Sequence, residues 1–488
     1  MNAFVLAAVA APLVAALLPL LTPLGQARRR ARISAALAAA LATAFVAGRV
    51  DGLSLLFAVL VSTLGFLATT FSAGGAIFER RVGDLVGDPE ESAAWSRVSV
   101  YFALLGTFWS AMLVVVVAQN FTLLWLGISA TTLATAFLVG FAGEAASLEA
   151  AWKYLVLCSI GIAFALLGML VLAHLSLQAG IDPAHALSWT TIAGRAHDAS
   201  PALARLAVAL MITGFATKAG LVPMHAWLPD AHSKAPAPVS GLLSGVLVSC
   251  ALYAIVRTLT VAGALGVDAF ARELLLWFGV LSTLGAGALM LVQSDLKRLL
   301  AYSTVEHAGI VALALGFGGT FGTLAALVHV AAHAFAKSSA FFAAGLVQRE
   351  RHTTSLGQLH GLWRSGGAGK MLLGSLAALG GMPPFGIFVS ELMVVVAGVL
   401  ADRWIALGLA LAGIAFAFAA LTRAAIDIES GRSGKAPSPR ASILALAPAS
   451  ARAAGLALAG ATAAAAAPWS ALGAVLRSAA SAIAGSNT

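Results

Sequence analysis

This sequence predicts an all-α integral membrane protein, a bundle of about fourteen transmembrane helices. Three observations predict it. The 488 residues are 60% hydrophobic and only 10% charged, against roughly 25% charged in a soluble domain. Their mean hydropathy is +0.95. Nearly the whole chain divides into apolar stretches separated by short polar loops, each stretch near the length of about 20 residues that a spanning helix needs. Lipid offers backbone groups no hydrogen-bond partner, so spans are helices or closed-barrel strands. The apolar runs here are continuous and do not alternate, which excludes a barrel.

The spans are predicted near 3–24, 33–49, 52–78, 98–118, 120–142, 153–175, 203–222, 239–261, 272–293, 301–318, 321–347, 370–400, 402–424 and 441–467. The first stretch, Asn2 to Leu24, lacks the basic start and small-residue cleavage site of a secretory signal. Its positive charges follow it, at Arg28, Arg29, Arg30 and Arg32. That order predicts an N-terminus outside and a cytoplasmic basic cluster. Alternate loops then carry the basic residues: Arg80, Arg81 and Arg97; Lys153; Lys234; Lys297 and Arg298; Arg349, Arg351, Arg364 and Lys370; Arg423, Arg432, Lys435 and Arg440. The intervening loops hold Arg49, Arg195, Arg205, Arg272 and Arg403, and the longest of them, 176–202, holds Asp182, His185 and Asp198.

Helices seven and twelve each contain an ionisable residue and a proline break. One reads Thr217-Lys218-Ala219-Gly220-Leu221-Val222-Pro223; the other reads Gly381-Met382-Pro383-Pro384 and then Ser390-Glu391. Proline removes a helix hydrogen bond and kinks the rod. Broken helices at corresponding places in two halves suggest an inverted repeat with ion sites between the halves. The expected organisation is an N-terminal three-helix segment (1–97), a core (98–425), and a C-terminal loop, last helix and tail (426–488).

The net charge of +9 reads as basic cytoplasmic loops and not as a nucleic-acid surface. Cys158 and Cys250 both lie inside apolar runs. Two thiols cannot ligate an iron–sulfur cluster, which needs about four, and they make no disulfide scaffold. No glycine-rich loop is placed to cradle a phosphate. We expect no cofactor, no metal, no catalytic residue and no redox site on this chain.

An ionisable side chain inside the membrane costs several kcal/mol unless paired or hydrated. Lys218, His329, His333, Lys337 and Glu391 are the candidates. Arg257, Arg452 and Lys153 read as residues that snorkel to an interface. His329, His333 and Lys337 stand at i, i+4 and i+8, on one helix face. Two histidines so spaced suit zinc, simple packing, or a titratable row lining a hydrated path. Histidine relays protons near neutrality, and a desolvated lysine can give up its proton. Trp227-Leu228-Pro229-Asp230-Ala231-His232 through Ser240 reads either as a structured re-entrant segment or as an ordinary cytoplasmic loop.

These stretches also carry a resemblance. Phe215-Ala216-Thr217-Lys218-Ala219-Gly220-Leu221-Val222-Pro223-Met224-His225-Ala226-Trp227-Leu228-Pro229-Asp230-Ala231-His232 resembles the signature of antiporter-like subunits. Those subunits occur in respiratory complex I, multisubunit sodium/proton antiporters and membrane-bound hydrogenases. Asp295-Leu296-Lys297-Arg298-Leu299-Leu300-Ala301-Tyr302-Ser303-Thr304-Val305-Glu306-His307 resembles a second signature, and His333-Ala334-Phe335-Ala336-Lys337 a third. The likeness covers roughly residues 50–425. Glu306-His307-Ala308-Gly309, Pro383-Pro384-Phe385-Gly386 and Phe388-Val389-Ser390-Glu391 are most similar to the hydrogenase-4 component F branch, found in formate hydrogenlyase-type complexes.

The resemblance implies a core with two inverted five-helix repeats and proton translocation coupled to electron transfer in a partner arm. It casts Lys218 as the central lysine of a first half-channel, His333 and Lys337 as the pair at mid-protein, and Glu391 as the ionisable residue of a second half-channel. Ser129, His225, His232, Ser244 and His307 are auxiliary positions. The family often pairs its helix-seven lysine with a helix-five glutamate, and the matching position here is Ser129. In helix eight, Ser244, Ser249 and Cys250 occupy the region of the usual ionisable residue. A serine hydrogen-bonds but holds no charge at neutral pH, so a weakened first half-channel is expected.

The expected function is that of a proton-translocating subunit in a hydrogenase-like or quinone-reducing complex. The alternatives are a subunit of a cation/proton antiporter or ion-coupled uptake complex, and a scaffold subunit that no longer pumps. Expected partners are other membrane subunits, a peripheral redox arm and the lipid bilayer, with protons as the ion and sodium as the alternative. Nucleic acid is excluded. The expected location is a bacterial-type inner membrane.

Overall fold

A computed structural model describes residues 3–17, 24–48, 50–76, 90–195, 200–430 and 448–464, with the isolated positions 474 and 477. The main helices are α1 (Ala3–Leu17), α2 (Leu24–Val46), α3 (Gly52–Phe71), α4 (Glu90–Val117), α5 (Phe121–Val139), α6 (Ala145–Gln178), α7 (Pro201–Ala219) and α8 (Trp227–Lys234). There follow α9 (Ala237–Ala264), α10 (Asp268–Met290), α11 (Leu296–Phe317), α12 (Gly319–Arg351), α13 (Gly367–Leu379), α14 (Gly386–Leu400), α15 (Trp404–Ser430) and α16 (Pro448–Ala463). Among the described residues ten helices are long and apolar enough to cross a membrane, and four shorter apolar helices accompany them. With α16, these account for every predicted span, the twelfth being the pair α13 and α14. The chain is a multi-pass membrane protein.

Polar side chains mark several starts. Asp51 accepts from the Ser54 N–H, Asn120 from that of Leu123 and Asp295 from that of Arg298, each at 2.9 Å. Each satisfies a donor that the first helical turn leaves free. Helix α6 runs past its predicted span to 34 residues, about 51 Å at 1.5 Å per residue. Its extra N-terminal turns are polar, with Glu149 and Lys153 paired at 2.6 Å.

Burial sorts the helices. The apolar window of α9 is wholly enclosed, and those of α11 and α12 nearly so, whereas α6 and α15 expose much of theirs. Trp152, Leu170 and Ile405 on these outer helices are among the most exposed apolar residues. Glu306, His307, His329, His333 and Lys337 therefore lie on the enclosed helices α11 and α12.

Both breaks are present. Helix α7 ends at Gly220, whose φ of +74° is costly for any residue with a Cβ. The chain then re-enters as α8. A Cβ on Gly220 would lie 2.3 Å from Leu228 Cδ1. Helix α13 ends before Gly381, with φ +66°, and α14 resumes at Gly386. The segment from Trp227 is a buried helix and not an ordinary loop, with Trp227, Leu228, Ala231 and His232 fully enclosed. Arg49, Arg80, Arg81, Asp198, Arg432, Lys435 and Arg440 lie outside the described residues.

Candidate functional site

Three helices build the centre. Helix α12 carries His329, His333 and Lys337 on one face, helix α11 carries Ser303, Glu306 and His307, and helix α14 carries Ser390 and Glu391. His307 Nδ1 lies 3.1 Å from His329 Nε2, and His329 Nδ1 lies 2.9 Å from Ser390 Oγ. The His307 and His333 rings are 5.1 Å apart. Glu306 Oε2 stands 3.4 Å from His307 Nδ1. Lys337 Nζ donates to the Leu300 carbonyl at 2.8 Å and to Ser303 Oγ. Glu391 is half-buried at the second break, its carboxylate lying against Gly381. A row of titratable groups thus runs along α12 from Lys337 through His333 to His329, with Glu306 and His307 beside it on α11 and Glu391 following Ser390 on α14.

The Nε2 atoms of His307 and His333, and both ring nitrogens of His232, meet no partner at hydrogen-bond geometry among the described residues. Buried polar atoms are nearly always satisfied by protein or by ordered water, so this row suits bridging waters. Among the described residues no group of three or more His, Cys, Asp or Glu could hold a metal. His307 and His329 instead direct ring nitrogens at each other.

Lys218 forms a second centre. It is buried at the end of α7 and donates to Thr132 Oγ1 at 2.7 Å and to Tyr154 OH at 2.6 Å. No ion pair involves it among the described residues. Ser129 points its hydroxyl back along its own helix, to the Trp125 carbonyl at 2.8 Å, and does not touch the lysine. Trp227 Nε1 donates to the Thr217 carbonyl at 2.8 Å. The Trp227 ring lies 5.0 Å from the Tyr154 ring and 5.8 Å from that of His232. Helix α8 thereby joins Tyr154, a partner of Lys218, to His232 through the Trp227 ring.

The remaining expected positions fall as follows. Ser244 sits in a widened turn of α9 (Leu243–Leu247) and bonds Thr304 of α11 at 2.7 Å. His225 is half-buried in the first break, 6.4 Å from the Tyr302 ring. Lys153 meets Glu149 and Asp230 at the surface, and Arg452 is exposed. Arg257 departs from the snorkelling reading. It is buried, 2.6 Å from Asp51 Oδ2, 3.0 Å from Tyr253 OH and 4.8 Å over the Trp189 ring.

Nothing in the sequence marks Thr132, Tyr154 or Ser303 as site residues, and Glu306 stands there only within a signature. A carboxylate inside the apolar run of α11 was the available signal for Glu306. Thr132 follows Ser129 by three residues, on the same helix face.

Buried lysines, histidines and carboxylates on two continuous helices, α11 and α12, flanked by two broken ones, define a class: a polytopic membrane protein with ionisable groups in its interior. Residues 118–417 match the family described as NADH:quinone oxidoreductase/Mrp antiporter, transmembrane, and the chain belongs to that family. It is 36% identical over 347 residues to the Hydrogenase-4 component F homolog of Methylacidiphilum infernorum, covering 71% of each chain. It is 33% identical over 322 residues to NADH-quinone oxidoreductase subunit N 1 of Symbiobacterium thermophilum, covering 63% of each. Its fold resembles a chain of the membrane-bound sulfane sulfur reductase, an archaeal respiratory membrane complex. The TM-score there is 0.80 at 23% identity, over 98% of this chain and 97% of that one.

Proposed function

We propose that this chain is the proton-translocating membrane subunit of a redox-driven complex, with the route running through Lys218, His232, His333, Lys337, Glu306, His307, His329 and Glu391. The observation that carries the reading is the central row: titratable groups of the enclosed helices α11 and α12 meet one another and Ser390 of α14, with ring nitrogens left for water. Charge on one such group is felt strongly by the next, because the low-dielectric interior screens poorly. Moving one charge against 100 mV costs about 2.3 kcal/mol. In this reading an electron-transferring partner arm supplies the energy, and other membrane subunits flank the chain.

His225 and Ser244 are auxiliary, lying at the first break and in the widened turn that touches α11. The two broken helices are the counterparts of an inverted repeat within a core spanning residues 98–425. The basic loops face the cytoplasm of a bacterial-type cell and the N-terminus faces out. A reporter fused after Arg440 then reads cytoplasmic; a periplasmic readout rejects this topology.

The test of the route is His333→Ala in the assembled complex, reconstituted in liposomes, with proton movement followed during electron transfer. Loss of proton movement with electron transfer retained is expected. Proton movement at the unmutated rate means that the row is only packing. A strict sodium requirement in the same assay favours the cation/proton antiporter reading. The absence of a carboxylate partner for Lys218 favours a second reading, a scaffold subunit that does not pump, and the same liposomes test it.

A further inference from the structure

The hydrogen bonds around Lys218 have a direction that can be read from their far ends. Thr132 Oγ1 donates to the Ile128 carbonyl at 3.0 Å, and Thr135 Oγ1 donates to the Thr131 carbonyl at 2.6 Å. A hydroxyl has one proton, so each of these threonines only accepts from its other neighbours. Tyr154 OH lies 2.5 Å from Thr135 Oγ1. Thr135 has already committed its proton to a carbonyl, so Tyr154 donates to Thr135. The Tyr154 and Thr132 oxygens are then both left as acceptors, and each accepts an N–H from Lys218, at 2.6 and 2.7 Å.

The count is informative. An ammonium has three N–H donors; a neutral amine has two N–H donors and a lone pair. The seat offers two acceptors, both neutral, and no carboxylate pairs with Lys218 among the described residues. A lone buried cation is costly, whereas both N–H donors of an uncharged amine are satisfied here and its lone pair stays open to a proton. We propose that Thr132 and Tyr154 form a two-acceptor seat that holds Lys218 as an uncharged, proton-accepting amine. Tyr154 is the positioning residue, anchored in turn by Thr135. The proposal rests on the reading that Lys218 lies on the proton route.

The seat gives Lys218 a role without the expected glutamate. A proton arriving at the lysine binds the nitrogen lone pair and turns the amine into an ammonium. The third N–H then finds no acceptor in the seat, so the charged side chain is driven toward the next base, to which it returns the proton and reverts to the amine. Trp227 packs on Tyr154 and bonds the Thr217 carbonyl beside the lysine, so α8 is the element that senses this change. The His232 ring lies 5.8 Å from the same indole and is the next titratable group toward the central row.

The experiment uses the assembled complex in liposomes and reads proton movement per electron transferred, for Tyr154→Phe, for Tyr154→Phe with Ser129→Glu, and for Lys218→Met. Ser129 shares a helix face with Thr132, so a carboxylate there offers the lysine a substitute partner. Tyr154→Phe is expected to lower proton movement about tenfold, the worth of one hydrogen bond to a buried amine, with electron transfer retained. Adding Ser129→Glu is expected to restore most of it, which a merely structural role for the phenol would not allow. Full proton movement in Tyr154→Phe, or a loss that Ser129→Glu does not repair, overturns the proposal. Should Tyr154→Phe fail to assemble, Thr132→Val removes the other acceptor and is read the same way. Full proton movement in Lys218→Met overturns the underlying reading of the route and the proposal with it.

Discussion

Gly381→Ala is a one-carbon probe of Glu391. Gly381 sits on the second break with φ +66°, and a Cβ there would lie 2.3 Å from Glu391 Oε2 and 3.1 Å from its Cδ. The substitution has two separable costs. A left-handed backbone at a residue with a Cβ costs about 1–2 kcal/mol. Relaxing the contact to ordinary van der Waals separation also moves the carboxylate oxygen by about 1 Å. Gly361 supplies the control, because its φ is +63° and a Cβ there meets nothing within 4 Å. Gly361→Ala carries the strain without the contact. Thermal unfolding of the detergent-purified complex is expected to register both substitutions, each by about 1–2 kcal/mol. Proton movement in liposomes is expected to fall only for Gly381→Ala, by up to about a hundredfold, the cost of misplacing a reacting group by 1 Å. Undiminished proton movement in Gly381→Ala, or an equal loss in Gly361→Ala, would refute the placement of Glu391 at the break.

Two further outcomes follow from the geometry. Arg257→Ala is expected to lower stability by about 2 kcal/mol. Breaking a buried pair costs about 3–5 kcal/mol, and this one is discounted because the Asp51 side chain is 51% exposed and screened by solvent. An unchanged Tm would contradict the tie between α3 and α9. Burial holds the imidazole of His225, outside the spans, below its ordinary range. The folded state therefore binds that proton more weakly than the unfolded state, so this contribution to stability is full above about pH 6.5 and is lost as pH falls. His225→Gln is expected to flatten the acid limb of a Tm-against-pH curve; identical limbs would contradict it.

Much of the fold was legible because lipid makes apolar length a direct signal, and because proline and glycine punctuate it. The breaks at Gly220 and Gly381 stood in the sequence for that reason. Helix α6 ran longer than its apolar stretch because an i, i+4 pair, Glu149 and Lys153, carries the helix into polar surroundings where hydropathy is silent. The segment from Trp227 read ambiguously because of its prolines. Pro229 is the third residue of α8, within the first turn, where no intrahelical donor is missed. His329, His333 and Lys337 were legible because helical spacing is local. The partners of Lys218 and Arg257 were not, because contact across 64 residues to Tyr154, or 206 to Asp51, is fixed by packing and leaves no periodic trace. Arg257 read as a snorkelling residue for that reason alone.

The central claim is that protons cross through the row on α11, α12 and α14, and Lys337 is its lysine, buried and bonded to Leu300 and Ser303. The direct measurement is proton movement by the reconstituted complex carrying Lys337→Met, with assembly and electron transfer assayed on the same preparation. The account predicts an assembled complex that still transfers electrons and moves no protons; proton movement at the unmutated rate would contradict it.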